Sequence, residues 1–422
     1  MVDGIGRVCV VGLGYVGLPT AAVLASRGVE VIGVDIDSER VERVNCGVAP
    51  FDEAGMDSLV ADTVASGALS AQGEPAPADA FIIAVPTPIN DGHRPDISYV
   101  RSAIDNLAPA LTRGNLVIVE STCPVGTTEE VCERLASSRP DLTFPHSAGE
   151  ASDVRVAYCA ERILPGNALE ELVANDRIIG GITPACAEAA KRLYEVFVEG
   201  VCHTTTVRTA ELAKLAENAF RDVNVAFANE MSLVSTALDI DPWELISLAN
   251  RHPRVEILNP GPGVGGHCIP IDPWFIAHAA PHLTPLIQVA REVNDGMPKV
   301  VADRVVHVCK DLADPVVACL GLTYKADVAD LRESPAIEVV KELQRRKEGR
   351  ILVVEPYVSE LPSEISNCGN IELVGLEDGL SAADVVVLLT DHSMFTEIDQ
   401  ETLTSKSVVD SRGLWDRSKC GA

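Results

Sequence analysis

Cys268 closes the run Gly263-Val264-Gly265-Gly266-His267-Cys268, and Asp272-Pro273-Trp274 follows it. Glycines leave little steric bulk beside a thiol, so a substrate carbon can approach the sulfur closely. A carboxylate one turn further on can accept a proton or activate a water. Upstream, Lys214, Asn218 and Arg221 recur at helical spacing and share one face. Their neighbours Leu215, Ala219 and Phe220 predict a packed helix whose polar stripe lines a cleft. There Lys214 and Asn218 would donate to an alkoxide or a tetrahedral oxyanion. Glu161, heading Glu161-Arg162-Ile163-Leu164-Pro165-Gly166, offers a second carboxylate to accept a proton or hold a water. The backbone of Arg162 and Ile163 would meet substrate. A thiol nucleophile beside a hydride acceptor would take an alcohol or aldehyde to the acid level through a thioester.

The hydride acceptor is signalled at the start of the chain. Gly12-Leu13-Gly14-Tyr15-Val16-Gly17 follows the apolar run Val8–Val11 and opens a helix through Ala21–Ser26. Such a turn lets a pyrophosphate approach the helix N-terminus. Asp35 ends the next strand, Glu30–Val34, where an acid binds ribose hydroxyls and repels a 2′-phosphate, so NAD is expected rather than NADP. Thr87 in Val85-Pro86-Thr87-Pro88, and Thr122 and Thr128 in and beside Ser121-Thr122-Cys123-Pro124-Val125-Gly126-Thr127, lie just after strand ends. Ligands of open α/β sheets gather there, so these hydroxyls are candidates for cofactor or active-site water. Near the C-terminus, Tyr324-Lys325 follows a strand, Arg332 comes shortly after, and Ser334-Pro335 starts a helix. Two cations beside a helix N-terminus make a local anion site suited to a nucleotide diphosphate.

The elements that position these residues follow from hydrophobic patterning. Apolar runs at Ala80–Val85, Leu116–Glu120 and Arg177–Ile182 alternate with helical stretches, which predicts a parallel, doubly wound sheet. A single long helix is expected from Thr209 to about Leu238, with further helices from Pro242 and through Leu286–Val293. A second alternation, with strands near Val316–Leu320, Ile351–Val354, Ile371–Val374, Val385–Leu389 and Val408–Val409, predicts another α/β domain. The expected organisation is a nucleotide-binding Rossmann domain over 1–205, a helical middle over 206–300 and a smaller C-terminal α/β domain over 301–422.

Bulk properties narrow the class. Sixty-two acidic against 34 basic residues give a formal net charge of −28, a field that repels nucleic acid. Such a surface is what a salt-rich cytoplasm demands, and ordinary acidic bacterial enzymes carry it too. No apolar run approaches the roughly 18 residues of a membrane span. The strand entered by Arg7 leaves no room for a signal peptide, so a cytoplasmic location is expected. The 12 cysteines show no Cys-x-x-Cys pair and no zinc-like spacing, so no metal is expected, and Cys9, Cys159, Cys309 and Cys319 read as core residues.

Taken together these residues resemble the UDP-glucose/GDP-mannose dehydrogenase superfamily over essentially the whole chain. The likeness runs through Gly14–Pro19, Ser121–Gly126, Tyr158-Cys159-Ala160-Glu161-Arg162, Arg221-Asp222-Val223-Asn224, Asn250-Arg251-His252-Pro253-Arg254 and Gly261-Pro262-Gly263 to Trp274-Phe275. The resemblance implies two NAD-dependent oxidations of a sugar's primary alcohol, with Cys268 carrying a thiohemiacetal and then a thioester that water cleaves. It implies that Lys214 and Asn218 stabilise oxyanions, and that Asp272, with Thr122 and Glu161, manages protons. It also implies substrate or cofactor contacts for Arg162, Ile163, Arg221, Gly265, Tyr324, Lys325 and Arg332, with Arg412 a further candidate. His252 and Arg254 would reach a neighbouring subunit's site, making a homodimer the minimum. Ile271 before Asp272, His267 before Cys268, and Pro165 in place of a second Glu depart from the glucose branch and fit a UDP-N-acetylhexosamine. Arg221-Asp222-Val223 and Asp272-Pro273-Trp274 favour N-acetylmannosamine over N-acetylglucosamine. Two rival readings are a β-hydroxyacid dehydrogenase, which lacks the glycine-flanked cysteine and the nucleotide domain, and a non-catalytic sensor, which would not need the nucleophile.

Overall fold

The computed structural model describes residues 5–415 except 91, 164, 165 and 348. The chain forms two compact units. One comprises the residues up to Ala216 with Trp274–Ala279, the other Glu217–Pro273 with the residues from Ala280 onward.

The first unit is built on an eight-stranded sheet. In chain order its strands are β1 (Arg7–Val11), β2 (Glu30–Val34), β3 (Leu69–Gln72), β4 (Ala80–Ile83), β7 (Leu116–Val119), β8 (Arg155–Tyr158), β9 (Arg177–Gly181) and β10 (Cys202–Thr206). A two-strand hairpin, β5 (Ile89–Asn90) and β6 (Arg94–Pro95), lies between β4 and β7 in sequence. The spatial order is β10-β9-β8-β7-β4-β1-β2-β3. Strands β1, β4 and β7 are almost continuously apolar and buried, because helices cover both faces of a parallel sheet. Separate apolar clusters fill the two faces: Val8, Val10 and Ile82 point into one, Cys9, Phe81 and Ile83 into the other. The expected parallel order holds from β3 through β8, whereas β9 pairs with β8 antiparallel and β10 follows β9. Edge strands β3 (Leu-Ser-Ala-Gln) and β10 (Cys-His-Thr-Thr-Thr) carry too few apolar residues to stand out in the sequence.

In the second unit five parallel strands, β11 (Val316–Leu320), β12 (Arg350–Val354), β13 (Ile371–Leu373), β14 (Val385–Leu388) and β15 (Ser407–Asp410), stack in the order β13-β12-β11-β14-β15. The change of direction at β11 sets the C-terminal ends of β11 and β14 at a topological switch point, where open α/β sheets bind ligands.

The long helix runs over Val207–Ala237, 31 residues without Gly or Pro. A second helix, Pro285–Cys309, extends well beyond the expected Leu286–Val293 and carries Pro298 inside it. Pro298 has no N–H to give the Asn294 carbonyl one turn earlier, a local defect that the packing of 25 residues outweighs. Within the second unit these helices are joined by a buried polar network. Arg291 donates to Asp222 at 2.6 Å and also pairs with Asp295; Asn294 Nδ2 donates to Asp222 at 2.8 Å; Asn229 donates to Asn294 at 2.9 Å. Arg291 is 2% and Asp222 0% exposed, so neither charge can be rehydrated if its partner is removed. Asp222→Ala should therefore lower the free energy of unfolding by about 3 kcal/mol, the low end for a broken buried pair because Asp295 still faces Arg291. Urea denaturation with an unchanged m-value tests this.

Candidate active site

In the first unit the glycine turn is dictated by close backbone approach. A Cβ on Gly12, whose φ is +98°, would lie 2.4 Å from the Ala84 carbonyl oxygen, and one on Gly17 would lie 1.9 Å from that of Gly12. Gly14, between them, has open space at its Cβ position, the room a pyrophosphate needs above the helix Gly17–Ser26. Asp35 at the end of β2 accepts the Leu13 N–H at 2.9 Å and faces Arg40 at 3.0 Å. Its carboxylate is thus fixed beside the turn, where it can take ribose hydroxyls. Tyr15 stacks on Phe51, with ring centroids 4.2 Å apart. These residues fit a dinucleotide.

The loops beyond β4 and β7 are cross-linked. Thr87 Oγ1 donates to the Thr122 carbonyl at 2.6 Å, and Ser121 Oγ to that of Val85 at 2.7 Å. Thr128 is fully buried and gives its hydroxyl to Glu211 at 2.7 Å. Glu211 also accepts the Gly126 and Thr128 amides at 2.6 and 2.8 Å, satisfying the start of the helix Thr127–Ser138. Glu161, buried just after β8, accepts the Ile163 N–H at 2.7 Å and pairs with Lys214 Nζ at 3.2 Å. Arg162 donates to the Asp176 carbonyl at 3.0 Å. Glu53 accepts the amides of Gly166 and Ala168, both at 2.8 Å, and so fixes the far end of this loop. Pro165 lies outside the described residues.

In the second unit Cys268 is half-buried, and its carbonyl accepts the Asp272 N–H at 2.8 Å. That turn leads directly into the helix Asp272–Ala279. Asn218 Nδ2 donates to Asp272 Oδ2 at 2.6 Å, with both residues buried. The glycine run reaches Cys268 through places that admit no side chain. A Cβ on Gly265 would lie 2.6 Å from the Glu333 carbonyl oxygen, and one on Gly266 would lie 2.8 Å from the Tyr324 ring. The Gly266 N–H donates to the Arg332 carbonyl at 3.2 Å. Tyr324 and Arg332 are thereby brought against the cysteine loop, with Arg332 paired to Asp330 at 2.6 Å. Gly263 sits where a Cβ would be 3.1 Å from the Asn294 carbonyl, and the Gly261 N–H donates to Asn229 at 2.9 Å. Arg412 pairs with Asp391 at 2.7 Å and reaches over Gly261.

Lys214 and Asn218 occupy successive turns of the long helix. Leu215 and Ala219 are buried as the pattern requires, whereas Phe220 is 68% exposed. The packed-helix reading fails at that one residue. Arg221, His252 and Arg254 are exposed. Residues that sequence reasoning passed over are the buried holders: Glu53, Glu211, Asn229, Arg291 and Asn294. A polar residue recurring on the apolar face of a helix was the available signal for the last four.

Comparison with known proteins identifies the family. Residues 6–198 match the NAD binding domain of the UDP-glucose/GDP-mannose dehydrogenase family, 208–296 its central domain and 318–417 its UDP binding domain. The chain belongs to that family. It is an NAD-dependent UDP-sugar dehydrogenase. The NDP-N-acetyl-D-galactosaminuronic acid dehydrogenase of Ralstonia nicotianae is 55% identical over 98% of this chain and 97% of that protein. The UDP-N-acetyl-D-mannosamine dehydrogenase of Campylobacter jejuni is 53% identical over 94% of this chain and 98% of its own length. A UDP-D-ManNAc dehydrogenase structure from Pyrococcus horikoshii superposes with a TM-score of 0.88 at 36% identity, covering 97% of this chain and 96% of that one.

One buried acid of the first unit has a measurable signature. Glu120, at the end of β7, is pushed up to about 7 by burial, against the opposing pull of Arg177 and of hydrogen bonds from Thr20 and Tyr194. Its folded value lies above the ordinary 4.5, so it supports the fold fully below pH 4.5, and that support is lost as pH rises through about 7. Glu120→Gln should therefore gain stability relative to wild type between pH 5 and pH 8. Urea midpoints at the two pH values test this, and an identical difference at both would contradict it.

Proposed function

We propose that the chain oxidises the 6-hydroxymethyl group of UDP-N-acetyl-D-mannosamine to the carboxylate in two steps at Cys268. The observation that carries this reading is the placement of a half-buried thiol, flanked by glycine backbone, one turn before the buried Asp272–Asn218 pair. NAD, when bound at the glycine turn, supplies the hydride acceptor for both oxidations. The alcohol first becomes an aldehyde, to which the Cys268 sulfur adds as a thiohemiacetal. The second oxidation leaves a thioester, and water releases the carboxylate and the thiol. Lys214 and Asn218 donate to the oxyanions of these steps. Asp272, held by Asn218, is the proton-handling group, and Glu161, held by Lys214 and the Ile163 amide, and Thr122 are the further candidates for that role. Tyr324, Lys325 and Arg412 bind the nucleotide sugar, assisted by Arg162, Ile163, Arg221 and Gly265, while Gly12, Gly14, Tyr15, Val16, Gly17, Asp35, Thr87, Thr122 and Arg332 contact the cofactor; Thr128, expected among them, is fully buried with its hydroxyl on Glu211 and serves to hold the Gly126 turn. The three family segments support a working division into 1–205, 206–300 and 301–422.

The sugar assignment rests on the branch features of the sequence and the 53% identity to the Campylobacter enzyme. The 55% identity to the Ralstonia protein favours a second reading, an N-acetylgalactosamine nucleotide. Wild type should release two NADH per UDP-N-acetylmannosamine and act less well on the galactosamine, glucosamine and glucose analogues, and Cys268→Ser should lose the second NADH. One NADH per sugar in wild type would sink the thioester route, and preference for the galactosamine analogue would move the assignment.

The active form is proposed to be a homodimer in a reducing cytoplasm. Phe220, Phe227 and Val234 recur every seven residues along the long helix and are 68%, 47% and 43% exposed, an apolar stripe suited to a second copy. His252 and Arg254 would then reach the partner's site. Phe227→Asp should give monomers by light scattering with activity lost; an active monomer would contradict the assignment.

A further inference from the structure

The two units repeat one device at the atomic level. In the first, the Gly12 N–H donates to the Val34 carbonyl at 2.7 Å and Leu13 N–H to Asp35; in the second, Gly321 N–H donates to the Val354 carbonyl at 2.8 Å and Leu322 N–H to Glu355 at 2.6 Å. Gly12 and Gly321 share positive φ, +98° and +88°. The acids that follow β2 and β12 then diverge. Asp35 meets a partly exposed Arg40. The Glu355 side chain is 0% exposed and takes the amides of Leu322, Thr323 and Tyr357 together with His392 Nε2 at 3.1 Å. Its Oε1 takes one amide, as Asp35 Oδ1 does, but the side chain is sealed from solvent and cannot meet a ribose. Burial pushes Glu355 up, yet the His392 imidazole and the amides outweigh it and hold it below the ordinary carboxylate range.

His392, also 0% exposed, has its roles fixed by its neighbours. Nδ1 accepts the Asp327 N–H at 2.9 Å, so the proton sits on Nε2 and points to Glu355. Asp327 has φ +59°, a strained backbone for a residue with a side chain, and it is held there by that imidazole and by Tyr357 Oη and Ser393 N–H on its carboxylate. Thr323 Oγ1 donates to the Lys325 carbonyl at 2.9 Å, and Thr390 Oγ1 to the Thr323 carbonyl at 2.7 Å. The segment bracketed by these bonds is Thr323-Tyr324-Lys325-Ala326-Asp327.

We propose that Glu355 and His392 are positioning residues that hold the Thr323–Asp327 backbone so that Tyr324 and Lys325 meet the nucleotide diphosphate of the substrate. This rests on the assignment of that loop to the nucleotide sugar. The test uses full-length wild type, His392→Asn, whose side-chain carbonyl falls at the Nδ1 position and can accept the Asp327 N–H, and His392→Gln, whose amide N–H falls at the Nε2 position toward Glu355 and leaves no acceptor at the Nδ1 position. UDP binding by calorimetry, thermal midpoints, and KM for each substrate are measured. His392→Gln should weaken UDP binding and raise the sugar-nucleotide KM by at least about tenfold, with kcat and the NAD KM nearly unchanged, and His392→Asn should recover most of the loss. Unchanged UDP binding in His392→Gln would overturn the inference, as would equal losses in both variants that track their thermal midpoints. Absence of UDP binding by wild type would instead overturn the assignment on which it rests.

Discussion

A buried carboxylate accepting backbone N–H groups is the interaction on which both halves of this enzyme depend. Asp35 holds the dinucleotide turn, Glu53 the far end of the Glu161 loop, Glu211 the turn at Gly126, Glu355 the Leu322–Thr323 turn, and Asp410 the amides of Arg412, Gly413 and Trp415. Loops that surround polar ligands cannot be fixed by apolar packing, because the ligand needs their surface. A charged acceptor fixes two or three amides at once and outperforms neutral hydrogen bonds. Rigidity is thus supplied from beneath, and the faces presented to substrate stay available.

The same division of labour separates what was legible in the sequence from what was not. The tight turn of Gly12, Gly14 and Gly17 with Asp35 beside it could be read because its geometry is local: a strand, a turn and a helix follow one another within thirty residues. The Cys268–Asp272 turn and the Lys214/Asn218 stripe were readable for the same reason. The long helix was placed to within two residues because nothing in it interrupts the pattern. By contrast, Glu211 lies far along the chain from Gly126, and His392 lies far from Glu355; no short-range pattern announces such pairs. Phe220 misled because an aromatic at helical spacing reads as core, whereas here it belongs to the exposed side. The direction of β9 was likewise invisible, since an apolar run does not reveal which way its neighbour runs.

The two units also show how one turn geometry can be put to separate uses. After β2 the acid remains beside an open glycine turn and a partly exposed Arg40; after β12 the equivalent acid is consumed by an internal histidine. The backbone repeat survives while the chemistry changes, which is why resemblance between the halves is clearer in hydrogen bonds than in residue types.

Pro298 shows where improvement of the fold and performance would part company. The carbonyl it leaves without a helical donor belongs to Asn294, and the cysteine loop lies against that turn at Gly263, where even a methyl group would be crowded. The flaw in the helix is the seat of the loop. Replacing the proline with a better helix former would restore the missing donor and tend to raise stability, while altering the surface against which the cysteine loop lies. Lineages adapting this enzyme to heat are therefore expected to find their gains elsewhere, leaving this imperfect turn in place.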